Sequence, residues 1–146
     1  MNTNELAAQI REMMYFGKGR FFKHRCTHCI NPHDMMFLKA IIQLSNQSKG
    51  MVKMSDVSNY FNISAPAMTQ QVRRFEKMNF IERVQQEHDR RSVYLRLTAH
   101  ALEKINETEA VLNQDLVDFI TYLGEEDSKE LIRIMKKASQ FLMENK

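Results

Sequence analysis

Apolar positions between residues 54 and 79 follow the period of an α-helix and predict two consecutive helices. A short helix is expected from Ser55 to Phe61, with Ser55 as its N-cap. The pair Asn62-Ile63 predicts a tight break. Ser64 is then the expected N-cap of a second helix, whose buried stripe is formed by Met68, Val72, Phe75 and Met78. This stretch therefore predicts a helix, a turn and a second helix.

The pattern changes to a period of two after this pair of helices, which predicts strands. The first run is Ile81 to Gln85 and the second is Val93 to Leu97, where apolar and polar residues alternate. The polar stretch Gln86 to Ser92 between them predicts a hairpin loop, and Met51-Val52-Lys53 predicts a third short strand. Two helices followed by a hairpin are typical of a winged helix-turn-helix, a DNA-binding unit.

Helical patterns flank this unit on both sides. A first helix is expected from Asn4 to about Phe22, and a buried one from His33 or Asp34 to about Gln47. A long helix should follow Thr98, and Gly124 should separate it from a last helix. The predicted fold is therefore mainly α with a small β-wing.

The terminal helices carry more apolar positions than one winged unit needs, which favours a homodimer. We expect a single domain over residues 1–146, with residues 33–98 as the winged helix-turn-helix region that binds DNA. Residues 1–32 and 99–146 are the expected dimerisation helices. A dimer also suits a pseudo-palindromic operator in double-stranded DNA.

Polar residues share the face of the second helix that points away from its apolar stripe. Thr, Gln and Arg side chains can contact base edges in a major groove, whereas Ser and Lys suit phosphates. The residues predicted to contact bases are Thr69, Gln70 and Arg73, and those predicted to contact phosphates are Ser64, Arg74 and Lys77; Pro66 lies on the same face.

The hairpin adds two cations to this predicted surface. Arg90 and Arg91 are expected at its tip, where a guanidinium can enter a minor groove. Asp89 is close enough in sequence to orient Arg91 by a charge-assisted hydrogen bond.

These residues also carry a family resemblance. Asp89-Arg90-Arg91 followed by the segment from Val93 to Thr98 resembles the D-x-R…L-T signature of MarR-type transcriptional regulators (multiple antibiotic resistance regulators). The resemblance implies a homodimeric repressor whose first and last helices form the dimer interface. Two departures are Ala65-Pro66 at the start of the recognition helix and Asn79 at its end, where the family usually has Gly. We expect Asn79 to adopt the left-handed conformation.

Charge is distributed unevenly along the chain. Residues 1–98 hold fifteen Lys/Arg against eight Asp/Glu, whereas residues 99–146 hold six against ten. A positive first part and a negative last part are expected if one side faces phosphates. No secretion signal or long apolar run is evident, which predicts a cytoplasmic protein that does not enter a membrane.

Other classes of function find less support in the sequence. Motifs of hydrolases, phosphate-binding loops and zinc proteases are absent, so an enzyme is not expected. A winged helix that binds proteins instead of DNA is an alternative, but such a module would expose apolar residues on its outer face.

A group of histidines and cysteines follows the first predicted helix. It comprises His24, Cys26, His28, Cys29 and His33, with His88 and His100 as more distant candidates. Thiolate and imidazole are zinc ligands, and Cys-x-x-Cys can also form a reversible disulfide. Metal sensing, thiol redox sensing and no chemical role all stay open.

Eleven methionines suggest a further kind of effector. Met13, Met14, Met35 and Met36 could line a pocket for a small apolar or phenolic ligand, although methionines at helical spacing are more often core residues. The function we expect is sequence-specific DNA binding by a regulator whose DNA affinity an effector modulates.

Overall fold

The computed structural model describes residues 2–9, 28–46 and 50–145, and the chain separates into two compact units. One unit is residues 27–108, and the other combines residues 1–26 with 109–146. The first unit extends beyond the expected limits of 33 and 98, because the Ile30 backbone N–H donates to the Thr108 hydroxyl at 3.1 Å. Ala101 and Ile105 also belong to its core. Residues 3–9 are helical, and the rest of the predicted first helix lies outside the described residues.

Helix α1 spans Pro32–Ser45 and supplies much of the core of the first unit. It begins where the Asn31 side chain accepts a hydrogen bond from the Asp34 backbone N–H at 2.9 Å. Pro32 fits the first helical position, where no N–H is needed. Phe37, Leu38, Ala40 and Ile41 are buried. Met36 is 55% exposed, so one side of the helix is exposed, although the sequence predicted a buried helix.

Helix α2 spans Met54–Phe61 and follows strand β1, Val52–Lys53, without an intervening loop. Its N-cap is Lys53, whose side chain makes no capping bond, so the prediction of Ser55 as the cap was wrong. The physical reason is that Lys53 still pairs with the sheet, and the chain turns directly from strand to helix. Asn62 ends the helix in the left-handed conformation, with φ of 51°.

Helix α3 spans Ala65–Lys77 and is the second helix of the helix-turn-helix. As predicted, the Ser64 hydroxyl caps it, accepting from the Ala67 backbone N–H at 3.3 Å. Met68, Val72 and Phe75 are fully buried. Met78 is 39% exposed, contrary to the prediction, because the helix ends at Lys77 and the stripe ends with it.

The turn after α3 places Phe80 in the core in place of Met78. Asn79 has φ of 57°, which confirms the expected left-handed conformation. The Thr98 hydroxyl donates to the Asn79 carbonyl at 2.6 Å, and the Thr98 N–H donates to the Phe80 carbonyl at 3.0 Å. This turn is therefore tied to the end of the wing.

Strands β2, Ile81–Gln86, and β3, Asp89–Leu97, form the wing hairpin. The sheet is antiparallel in the order β1-β3-β2, so the predicted short third strand is confirmed. Leu95 is fully buried, whereas Val93 is exposed. The alternation predicted for the second strand therefore holds only near its end.

Stacked aromatic rings join the three helices of this unit. The Phe37 ring lies 4.9 Å from that of Phe75 and 5.3 Å from that of Phe61. Since these rings come from α1, α3 and α2, one aromatic cluster fixes the recognition helix against the two others.

Helix α4 spans Ala99–Leu123 and helix α5 spans Glu125–Glu144, with Gly124 between them as predicted. Gly124 has φ of 82°, a conformation that favours glycine. Glu125, Glu126 and Asp127 form the acidic first turn of α5. Within the described ranges, no helix has the length and apolar character needed to cross a membrane.

Candidate nucleic-acid interface

The outward face of α3 presents most of the residues predicted to contact DNA. Ser64, Pro66, Gln70, Arg73 and Lys77 are exposed, on the side opposite the buried stripe. Thr69 is half-buried, and its hydroxyl donates to the Ala65 carbonyl at 2.9 Å. Its methyl group, rather than its hydroxyl, is therefore the part suited to contact a base.

The wing is shaped differently from the hairpin that the sequence predicts. Its turn is Glu87-His88, and Arg90 and Arg91 lie at the start of β3 instead of in a long loop. The strand pairing is irregular between Val84 and Gln86. This bulge explains the error, because it adds unpaired residues to β3 that have no strand-like alternation. Both arginines are exposed.

Asp89 organises the bulge instead of bracing Arg91. Its carboxylate accepts from the Ser92 backbone N–H at 3.2 Å and from the Tyr94 hydroxyl at 3.3 Å. The Lys53 ammonium lies 3.6 Å away. No hydrogen bond or ion pair joins Asp89 to Arg91 in the part of the chain that the structure describes, so that expectation is corrected. The Ser92 N–H, the Tyr94 hydroxyl and the Lys53 ammonium contact the carboxylate instead.

Hydrogen bonding from Ser92, followed by the charge of Lys53, lowers the pKa of Asp89 below its usual range. The carboxylate therefore stays ionised at neutral pH. The Gln85 side-chain amide also donates to the Arg90 carbonyl at 3.1 Å. Contacts from β1, β2 and β3 thus fix the backbone from which the two arginines project.

Arg74 lies off the outward face that Arg73 occupies. Its guanidinium donates to both carboxylate oxygens of Asp34, at 2.9 and 2.5 Å. A phosphate contact by Arg74, as predicted from the sequence, would have to compete with this ion pair. The sequence predicted Asp34 only as a helix start, because an acid in the first turn commonly complements the helix dipole and gives no sign of a buried ion pair.

An open cleft of about 520 Å³ separates α2 and the start of α3 from the wing. Its polar lining comes from Ser55, Ser58, Asn59, Arg91 and Ser92. Hydroxyl, amide and guanidinium groups together suit an anionic oxygen such as that of a phosphodiester. The serines and Asn59 of α2 were not identified from the sequence, because a short polar helix face is usually only solvated.

The predicted His/Cys cluster is only partly described. His24 and Cys26 lie outside the described residues. His28 is exposed, Cys29 is disulfide-bonded, and His33 Nδ1 lies 4.0 Å from Asp34 Oδ1. His100 packs against the Phe80 ring at 5.5 Å. Over residues 2–9, 28–46 and 50–145, no three His, Cys, Asp or Glu side chains are arranged to hold a metal ion.

A capped helix with an exposed polar face, a preceding short helix and an arginine-bearing wing define a winged helix-turn-helix of the DNA-binding class. Residues 38–93 match the model of the MarR family. Over these residues the chain therefore matches the winged helix-turn-helix of the MarR family, which confirms the resemblance. Members of this family are transcriptional regulators and not enzymes.

Several solved structures share this fold. A MarR family protein from Bacillus stearothermophilus has a TM-score of 0.72 at 21% identity, covering 98% of this chain and 99% of its own. The YusO protein from Bacillus subtilis has a TM-score of 0.70 at 21% identity, covering 96% and 99%. A MarR mutant from E. coli complexed with operator DNA has a TM-score of 0.62 at 17% identity, covering 94% and 99%. The comparison with curated proteins found no match.

Proposed function

We propose that this protein is a homodimeric repressor that binds a pseudo-palindromic operator through α3 and the wing. The observation that carries the proposal is the exposed face of Gln70, Arg73 and Lys77 beside the exposed Arg90 and Arg91. The complex of the E. coli MarR mutant with operator DNA supports it, since that protein has the same fold. A cytoplasmic location follows from this role.

Each polar side chain has a role suited to its chemistry. Gln70 and Arg73 are placed to make paired hydrogen bonds with base edges in the major groove, with the Thr69 methyl group beside them. Ser64 and Lys77 contact phosphates at the two ends of α3. Arg91 enters the adjacent minor groove, where the negative potential attracts a guanidinium.

Apolar side chains on the end of α4 and on α5 support the homodimer. Large exposed ones among the described residues include Val117, Ile120, Tyr122, Ile134, Phe141 and Leu142. Apolar surface of this kind is stabilised by burial against a partner, and a second copy of the same chain supplies the two-fold symmetry of the operator.

The test is operator binding by the wild type and by Arg91→Ala, with Arg96→Ala as a matched arginine control. A fluorescent duplex is first selected by the wild-type protein from a random-sequence pool, and anisotropy titrations follow. Arg91→Ala should cost about 1–3 kcal/mol of specific binding. Arg96 pairs with Glu82 at 2.7 Å, so its variant should bind as the wild type does. Failure to enrich any sequence would contradict the proposal and favour a protein-binding winged helix.

Thiol redox sensing is a second candidate, favoured by the disulfide at Cys29. In this mechanism the thiols of Cys26 and Cys29 form a disulfide while a hydroperoxide is reduced to an alcohol and water. The zinc alternative needs thiolates, which a disulfide removes. Equal operator affinity of oxidised and reduced wild type would contradict thiol redox sensing. The double variant Cys26→Ser/Cys29→Ser is the control, because it cannot form the disulfide.

A small apolar or phenolic effector stays a proposal without an assigned site. Met13 and Met14 lie outside the described residues, and Met35 packs partly buried against the core of the first unit. Thermal stabilisation of the protein by a panel of aromatic acids and phenols would identify such a ligand.

A further inference from the structure

Arg74 and Asp34 form the polar part of the contact between α3 and α1. Asp34 is 4% exposed, and its two oxygens receive two nitrogens of the Arg74 guanidinium. Two parallel hydrogen bonds fix the orientation of the guanidinium relative to the carboxylate as well as their separation. A lysine ammonium would fix only the separation. The pair joins residues 40 positions apart in the chain.

Both partners of the pair are held from their own helices. The Asn31 side-chain amide donates to Asp34 Oδ2 at 2.9 Å, while its oxygen caps the same turn. On α3, the Gln71 side-chain oxygen accepts from Arg74 Nε at 3.2 Å, and the guanidinium carbon lies 4.4 Å from the centre of the Phe75 ring. Few orientations of either side chain satisfy these contacts together.

The aromatic contact between Phe37 and Phe75 joins the same two helices. Stacked rings hold the two helices together, but stacking is met over a range of offsets and ring distances. The bidentate ion pair at Arg74, one residue before Phe75, restricts the relative orientation of the two helices more narrowly than the rings do. Rotation of α3 would displace Gln70 and Arg73 from base edges.

We propose that Asp34 and Arg74 are positioning residues that set the rotation of α3, so that Arg74 serves sequence reading through Asp34 and does not contact a phosphate. The inference rests on the proposed DNA-binding function. The two roles of Arg74 predict opposite results when the Asp34 charge is removed. If Asp34 merely competed with DNA for Arg74, its removal would free the guanidinium and strengthen binding. If the pair positions α3, its removal weakens binding to the selected sequence.

The test is anisotropy titration of the duplex selected by the wild type, and of an unrelated duplex, across salt concentrations. Asp34→Asn keeps the side-chain shape and should lower affinity for the selected duplex about tenfold, the order of one lost base contact. Affinity for the unrelated duplex should stay unchanged, because it depends on phosphate contacts. Glu107→Gln makes the same change in the exposed pair with Lys104 and should leave both affinities unchanged.

Arg74→Lys and Arg73→Gln complete the design. Lysine keeps the charge but not the paired geometry, so Arg74→Lys should lose specificity as Asp34→Asn does, at an unchanged salt slope. Arg73→Gln should lose affinity through its own contact, whether or not Asp34 is present. Asp34→Asn combined with Arg74→Lys should be no worse than either alone, because both act through one pair.

The inference would be overturned by tighter binding of Asp34→Asn or by wild-type specificity in Arg74→Lys. A further variant, Arg74→Gln, would overturn it by a salt slope that falls by about one. Circular dichroism and stoichiometric titration give the folded, active fraction of each variant. A uniform loss on both duplexes at full activity would also contradict positioning. Failure of the wild type to select any duplex would instead refute the proposed function.

Discussion

Asp34 and Asp89 each pair with a cation from another element, Arg74 and Lys53 respectively. The Asp89 carboxylate also accepts from the Ser92 backbone N–H. The Arg74 hydrogen bonds lower the pKa of Asp34 despite its burial, with smaller contributions from Asn31 and His33. The same pairing raises the pKa of Arg74. A carboxylate whose pKa is lower in the folded than in the unfolded state contributes its full stabilisation above the unfolded pKa. This stabilisation is lost as pH falls through the folded pKa.

Acid unfolding should therefore respond to Arg74. In Arg74→Gln, the guanidinium that lowers the pKa of Asp34 is absent, so the stability that the pair contributes above the unfolded pKa of Asp34 is missing and the folded state is less stable from neutral pH down to that pKa. We expect the acid midpoint, followed by circular dichroism from about pH 6 to about pH 2, to lie at a higher pH than that of the wild type. Arg73→Gln is the control and should unfold with the wild type. Overlapping curves for Arg74→Gln and the wild type would contradict a stabilising pair.

At the scale of elements, helical periodicity predicted α3 well and the wing poorly. Ser64, Met68, Val72 and Phe75 act as expected because capping and burial depend on spacing within one helix. The wing depends on a bulge that Asp89 ties to Ser92, and the sequence from Gln86 to Ser92 contains no Gly or Pro that would indicate a two-residue turn.

The turn that ends α3 offers a local test of backbone geometry. Asn79 adopts φ of 57°, a conformation that costs most residues about 1–2 kcal/mol but costs Asn and Gly less. Asn79→Ala should therefore lower the free energy of unfolding by about 1 kcal/mol, measured by urea titration. Asn79→Gly should match the wild type or exceed it. Equal stability of the Ala and Gly variants would show that the left-handed conformation is not maintained.

At the scale of the whole molecule, long-range pairs were beyond the reach of sequence patterns. Asp34 meets Arg74, and Lys53 meets Asp89, only because folding brings their elements together. Periodicity predicts which face of a helix is buried but not which polar group it will meet. The sequence did, in contrast, predict that α5 carries apolar residues outside the core of the winged unit, since the terminal helices have more apolar positions than that unit needs.

The proposed dimer can be tested on α5. Phe141 is 65% exposed, and Phe141→Glu places a charge where the proposal requires an apolar contact. Light scattering during size-exclusion chromatography should give twice the 17.3 kDa chain mass for the wild type and a larger monomer fraction for the variant. Gln140→Glu, at an exposed neighbouring position, should remain dimeric. A wild-type monomer, or an undisturbed Phe141→Glu dimer, would contradict this interface.

The measurement that tests the central claim most directly is a hydroxyl-radical footprint of the wild-type protein on the duplex it selects. Two recognition helices related by a two-fold axis predict two symmetric half-sites whose centres lie about one helical turn apart on one face of the DNA. Additional protection should lie in the flanking minor grooves and should be absent with Arg91→Ala. Protection of a single unsymmetrical site, or flanking protection that persists without Arg91, would contradict the proposed binding by α3 and the wing.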